Sequence, residues 1–302
     1  MATVDELVLD RITDAALQGW SRDGAGAASL AELTPATITL LLRRYAVTGR
    51  EDLRDAVGVA LARAMHDASC TADRDERSEW LALLLEAVAL SEDARLRATG
   101  DAIAQALTRG WPGDGRVQSL MRTVEVVLAA SAAMQDPADG VTWIAAAIDE
   151  MERIVGLAYS PGNGIAHDVA SDFSRTGGSL GDHAAAASAL LTAFAMTGRL
   201  PYGMLAEELM QFARRQWWDD RAGVFTGASV GDQCGAARVY CRLEMLHRDE
   251  DYRQAAILAD ADYAADAGRV LAALAPVSDT LGDAAGVYGL ALMELFALRD
   301  LK

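Results

Sequence analysis

The chain predicts an all-α fold, an (α/α)6 toroid of six helical hairpins closed into a ring, and three observations predict it. A short signature recurs as Ser179-Leu180-Gly181-Asp182, Ser229-Val230-Gly231-Asp232 and Thr280-Leu281-Gly282-Asp283, its aspartates 50 and 51 residues apart. Repeats of that period denote stacked or circularised supersecondary units. Apolar residues recur at helical spacing along nearly the whole chain, in segments dominated by Ala, Leu, Arg and Glu, all good helix formers. These segments sort into two interleaved sets of unlike polarity.

The first helix is expected over residues 4–20, and the turn after it, Trp20-Ser21-Arg22-Asp23-Gly24-Ala25-Gly26, parallels Trp218-Asp219-Asp220-Arg221-Ala222-Gly223. Helices sharing the register of the signature are expected at 29–47, 75–91, 116–134, 180–197, 230–247 and 281–298; several end near a turn such as Thr48-Gly49-Arg50 or Thr197-Gly198-Arg199. They form an inner set. Helices at 51–69, 93–109, 138–158, 201–218 and 250–273 alternate with them and carry more charge on one face, as in Glu207, Glu208, Arg214 and Arg215. The inner helix at 281–298 has no outer partner after it, so helix 4–20 is expected beside it, completing one domain over 1–302. Closure buries apolar faces that would otherwise need polar capping repeats; an open superhelix is the alternative.

With 302 residues and 52% hydrophobic content the chain can bury one large core. A formal charge of −17 and a pI near 4.6 repel phosphate backbones and anionic lipid, so neither nucleic acid nor membrane is an expected partner. No apolar run reaches the roughly 18–20 residues of a membrane span, and Met1-Ala2-Thr3-Val4-Asp5-Glu6 has no leader character; a soluble, cytoplasmic protein is expected. Cys70, Cys234 and Cys241 lack a Cys-x-x-Cys spacing and read as reduced structural thiols. Cys234, Cys241 and His247, seven and six residues apart on one helix, cannot converge on a metal, and no metal or cofactor is expected. The only lysine, Lys302, gives Schiff-base and Walker-type chemistry no residue at an internal position.

In a ring of hairpins the N-terminal ends of the inner helices converge on one mouth. Glu76, Glu79, Asp182, His183, Asp232, Gln233 and Asp283 would then surround one opening. Crowding raises some carboxylate pKa values and leaves others ionised, which suits acid/base catalysis, and such groups also suit sugar hydroxyls. Asp182, Asp232 and Asp283 are the candidate catalytic carboxylates, with His183 assisting; read structurally, the same aspartates are helix N-caps. His183 breaks the repeat, since Gln233 and Ala284 take its place elsewhere, and the helix dipole favours its neutral form; a satisfied core histidine is the other reading.

Small residues follow each aspartate, Ala184 to Ala187, Gly235 to Ala237 and Ala284 to Gly286, and either pack closely or leave a cavity. In a cavity Arg238, Tyr240 and Tyr288 are candidate lining residues, with Trp80 as a stacking surface, although 6% aromatic content is sparse for carbohydrate recognition. The segment 159–178, with His167, Asp168, Asp172 and Arg175, is long enough for a lid over the mouth, His167 and Asp168 being candidate ligand contacts; an ordinary surface excursion is the alternative. Asp260, Asp262 and Asp266 are expected to form the solvated face of an outer helix.

Leu180-Gly181-Asp182-His183 opening a helix, Ala195-Met196-Thr197-Gly198-Arg199 ending it, and Trp217-Trp218-Asp219-Asp220-Arg221-Ala222-Gly223-Val224-Phe225 after the next carry a family resemblance. Over residues 165–298 the chain resembles the toroidal half of thioredoxin-domain-fused proteins of the spermatogenesis-associated-protein-20 type and, more distantly, N-acylglucosamine 2-epimerases. The thioredoxin domain's paired cysteines are missing, so no redox role is implied. The resemblance implies a carbohydrate-type toroid, an epimerase or glycosidase-like enzyme acting on a small-molecule ligand such as a sugar, with a non-catalytic binding or assembly scaffold as the alternative.

Overall fold

The computed structural model describes residues 4–22, 33–91, 93–113, 115–133, 137–170 and 177–301. Among them lie α1 (Val4–Arg22), α2 (Pro35–Thr48), α3 (Glu51–Cys70), α4 (Arg74–Leu90), α5 (Ala94–Thr108), α6 (Val117–Ser131) and α7 (Pro137–Ala158). The second half adds α8 (Leu180–Thr197), α9 (Leu200–Trp217), α10 (Val230–His247), α11 (Glu250–Ala255), α12 (Tyr263–Leu274) and α13 (Ala284–Asp300). Along α2, α4, α6, α8, α10 and α13 each helix packs on the next, and α13 packs on α2. The inner ring is therefore closed, and the architecture is the (α/α)6 toroid. Helix α1 lies against α13, α2 and α3, as the unpartnered last inner helix requires. The apolar faces of both layers merge into one core in which Leu40, Leu83, Leu120 and Leu243 are fully buried, each worth about 1.5–3 kcal/mol relative to exposure.

Local chemistry sets the helix ends. Helix α2 starts at Pro35 because Thr34 accepts a hydrogen bond from Thr37 N and proline supplies the helical φ of a first residue; the expected start at 29 falls outside the described residues. The two Thr-Gly-Arg turns close α2 and α8 with Gly49 and Gly198 at φ 66° and 67°, where a side chain would be strained. The turn expected over residues 20–26 lies, from 23 on, outside the described residues.

Two expectations need correction. The outer helix drawn over 250–273 is broken between α11 and α12, and a 3-10 turn follows over Ala275–Thr280. The cause is Glu207, a fully buried carboxylate on α9 that accepts from the backbone of Ile257 (2.8 Å) and Leu258 (3.3 Å), the Tyr263 hydroxyl (2.8 Å) and His247 Nε2 (3.1 Å). A buried charge demands such donors, and taking them from the backbone interrupts the helix. Asp260, Asp262 and Asp266 accordingly form no common solvated face: Asp262 caps α12 through Ala265 N, and Asp266, mostly buried, pairs with Arg214.

The second correction concerns segment 159–178, part of which is regular structure. Strands β1 (Tyr159–Ser160) and β2 (Gly164–Ile165) form an antiparallel hairpin after α7, and β3 (Trp218–Asp219) and β4 (Val224–Phe225) repeat it after α9. Arg214 and Arg269 lie over the Trp218 ring, each 4.9 Å from its centroid, which pins the second hairpin. Among the described residues no helix is long and apolar enough to cross a membrane.

Candidate active site

At the start of α8, Ser179 rather than the aspartate is the N-cap. Its hydroxyl oxygen accepts from Asp182 N, and the Asp182 side chain, at the third helical position, accepts in return from Ser179 N at 2.8 Å and Ser179 Oγ at 2.7 Å. This reciprocal box satisfies two helix-end donors at once. Ser229 and Asp232 repeat the cap on α10, with Asp232 N donating to Ser229 Oγ at 3.1 Å and Ser229 Oγ to Asp232 Oδ2 at 2.8 Å. The third signature has lost it: the Asp283 side chain caps nothing, stands exposed, and its helix starts only at Ala284.

Asp182 is fully buried. Besides the cap it accepts from Gln118 N at 3.1 Å and lies 2.8 Å from His167 Nδ1. A carboxylate can only accept, so Nδ1 donates to it, and in the neutral ring Nε2 is the acceptor on a half-exposed imidazole. The backbone holds His167 in place, because Val117 N donates to its carbonyl at 2.9 Å and Val169 N to Gly115 O at 3.2 Å. Residues 166–169 are thereby stitched to the start of α6, and Ala166 also bridges to Gly177, so the described part of segment 159–178 is wall rather than free lid. Asp168 forms a backbone β-bridge with Arg116 in this stitch, and its side chain accepts from Ala170 N at 2.9 Å; Asp172 and Arg175 lie outside the described residues.

Gln118 joins the two capped helices. Its backbone reaches Asp182, and its Nε2 donates to Asp232 Oδ1 at 2.9 Å. Gly181 makes room for this: a Cβ there would sit 2.4 Å from Asp232 Oδ1 and 2.6 Å from Gln118 Nε2. Asp232, half-buried, is thus the open carboxylate of the pair.

His183 is fully buried and occupied. Nδ1 lies 2.8 Å from the Ser179 carbonyl, which only accepts, and Nε2 takes the Ile165 N–H at 3.1 Å, so the ring is the neutral Nδ1–H tautomer. Burial lowers its pKa below the ordinary 6.5. Gln233 performs the same task on the other hairpin, accepting from Phe225 N at 3.0 Å and donating to Phe225 O at 2.7 Å. His183 therefore continues the repeat in hydrogen-bond terms, which corrects the view that it departs from it. Tyr240 and Tyr288 are buried as well, Tyr240 stacked between Phe225 and Tyr263, Tyr288 donating to Leu271 O at 3.0 Å, so neither offers a surface to a ligand. Trp80 is buried with Nε1 donating to Glu76. The short-residue run Ala184 to Ala187 is close-packed.

The neighbouring sector of the mouth belongs to α4 and α6. Asp75 pairs with Arg116 at 3.2 Å and accepts from Ser119 Oγ, and Glu76 accepts from Thr71 Oγ1. Glu79 is open to solvent yet crowded by protein, and this desolvation raises its pKa; Arg122 opposes the rise, while Asp75, Glu76 and Asp73 add to it. Below it, Glu79, Ala82 and Glu86 on α4 and Gln118, Arg122 and Glu125 on α6 follow one helix face each, and Glu79, Ala82 and Arg122 are exposed in mid-ring. Most other positions on these helices are covered, which leaves this face as accessible surface of the inner ring. Arg238, expected as a lining residue, pairs with Glu294 at 2.7 Å and keeps part of its side chain accessible.

Sequence reasoning missed Gln118, Arg122, Asp75 and the His167–Asp182 pairing. Cys234 and Cys241 are buried, their thiols pushed up to about 12 by that burial. Among the described residues no three His, Cys, Asp or Glu side chains gather as metal ligands.

No protein-family model matches the chain, and no curated protein does. Solved structures do match. An unsaturated glucuronyl hydrolase specific for heparin superposes with a TM-score of 0.68 at 12% identity, over 97% of this chain and 98% of that one. The unsaturated glucuronyl hydrolase of Bacillus sp. GL1 gives 0.67 at 14% identity, over 89% and 85%. An alpha-1,6-mannanase from Salegentibacter sp. HEL1_6 gives 0.62 at 13% identity, over 87% and 88%. At such identities the likeness is one of fold.

Proposed function

We propose that the protein is a carbohydrate-active toroid of glycosidase-like type, holding a sugar at the accessible surface of the inner ring and performing acid/base chemistry at its rim. The observation that carries this reading is Glu79, a solvent-reaching carboxyl near the start of α4 whose pKa crowding raises from its ordinary value, with the half-buried Asp232 at the start of α10, another helix of the inner ring. In that arrangement Glu79 protonates the departing glycosidic oxygen and Asp232 supplies the opposing carboxylate. Asp182 acts through His167 and the α8 cap rather than by touching the ligand. The similar fold of hydrolases named for glucuronyl and mannan substrates supports the carbohydrate class. The test is a screen of oligosaccharides followed by Glu79→Gln: turnover should fall about 10²–10⁴-fold with binding retained. Wild-type binding without turnover would leave a non-catalytic binding or assembly scaffold with the same fold.

One observation favours a second reading. The buried Asp182 orienting a half-exposed His167 with its Nε2 free to accept is also the geometry of a base that removes a carbon-bound proton, as a sugar epimerase requires. Deuterium uptake from solvent into a recovered sugar separates the two, because glycoside hydrolysis puts no deuterium on carbon.

A further inference from the structure

About halfway along the inner helices runs a belt of charge. Arg43 on α2 pairs with Glu86 on α4 and, at 3.4 Å, with Glu294 on α13. On α10, Arg238 pairs with the same Glu294 at 2.7 Å, and Arg242 pairs with Glu125 on α6 at 2.9 Å. Arg242 also donates to Ser188 Oγ at 2.9 Å and Thr192 Oγ1 at 2.8 Å on α8, so every inner helix takes part. The inner helices pack on ring neighbours and outer helices, yet Arg238 keeps 39% and Glu86 34% of its side-chain surface accessible. On α4 and α6, Glu86 and Glu125 follow the exposed Glu79, Ala82 and Arg122 along the same helix faces.

Resting on the carbohydrate reading above, we propose that the belt is the floor of the ligand site and selects a neutral sugar unit over a uronic acid. Each belt guanidinium already has a carboxylate partner. A sugar hydroxyl accepts from arginine and donates to glutamate together, so it binds without breaking a pair. A sugar carboxylate must instead displace a glutamate from its arginine or stand beside Glu86, Glu125 or Glu294 in a crowded, poorly screened space. The upper wall adds to this, since Arg122 faces Glu79 and Arg116 is held by Asp75.

The experiment is calorimetric titration of the intact protein with matched oligosaccharide pairs of gluco, galacto and manno type, one member neutral and the other ending in the corresponding uronic acid. The neutral member should bind at least about tenfold tighter. Glu125→Gln leaves Arg242 with hydroxyl partners and should move the preference toward the acid by about tenfold. Melting curves monitor folding, and Glu86→Gln, which half-frees Arg43, should shift the preference the same way if the first variant is unstable. Tighter binding of the acid by the wild-type protein, or an unchanged preference in folded variants, overturns the proposal alone. Failure of every sugar to bind overturns the carbohydrate reading with it.

Discussion

Helices α8 and α10 open with the same four-residue signature and carry the same β-hairpin behind them, yet the two repeats have been put to different ends. On α8 the aspartate is sunk beneath the surface and spends its lone pairs on Ser179, Gln118 and His167. On α10 its counterpart Asp232 makes the cap, takes one amide from Gln118 and keeps a face to solvent. The glycines differ likewise. Gly181 is needed because two side chains occupy the space of its Cβ, whereas nothing nearer than Ser229 Oγ at 3.8 Å would meet one at Gly231. Gly282, in the third copy, has φ 53° and open surroundings, so there the glycine serves the backbone. One recurring motif thus yields a buried organiser, an open carboxylate and a plain turn.

The comparison is broken most forcefully at the glycines. Gly181→Ala drives a methyl group into the Gln118–Asp232 contact and should cost about 1–3 kcal/mol, at the upper end because both neighbours are hydrogen-bonded. Gly231→Ala should be neutral or gain up to about 1 kcal/mol of helix propensity. Paired urea denaturation curves decide this, and equal losses at the two sites would erase the distinction.

The aspartates come next. In Asp182→Asn an amide must face at least one of the donors now served by the carboxylate, so a loss of about 1–2 kcal/mol is expected, together with release of His167. Asp232→Asn keeps an oxygen for Gln118 and should cost less than about 1 kcal/mol, and Asp283→Asn on the surface less than about 0.5 kcal/mol. Nitrogen-15 spectra of the imidazoles should show the His167 tautomer shifting only in Asp182→Asn.

The smallest effect sharpens the equivalence of His183 and Gln233. If both merely pin a hairpin, His183→Gln should cost less than about 1 kcal/mol while His183→Ala leaves Ile165 N without its partner and costs about 1–3 kcal/mol. The pH dependence follows from the lowered His183 pKa. Below 6.5 the unfolded chain binds a proton that the folded ring resists, so the stability present above 6.5 is lost as pH falls toward the folded value. Stability measured from pH 7.5 down to 5 should therefore decline less steeply in His183→Gln than in the wild-type protein.

The ring was legible because helical periodicity and a recurring signature extend over tens of residues, long enough to outweigh local exceptions. The hairpins were not, since strands of two residues have no period to detect. Helix 250–273 misled because its sequence has no proline or glycine at the break; the interruption is imposed by Glu207, some 50 residues away. At the mouth the neighbour of Asp182 in sequence, His183, points into the core, and the true partner arrives from position 167. Only tertiary structure makes that pairing. The belt had a signal: Arg238, Arg242 and Glu294 place charges midway along inner helices whose neighbouring positions are buried, where a charge needs a partner.

The contact between α13 and α2, made by Gly286 against the backbone of Thr37 and by Arg43 with Glu294, gives the molecule no free end. An open stack can lengthen by one unit and leave the others undisturbed. Here an added or deleted hairpin would change the angle at every helix junction, so the number of units is locked while the connections between them stay free to diversify. Lineages built on such a circle can therefore explore new ligands through the loops around the rim, and through the side chains that look down the axis, without ever altering the frame.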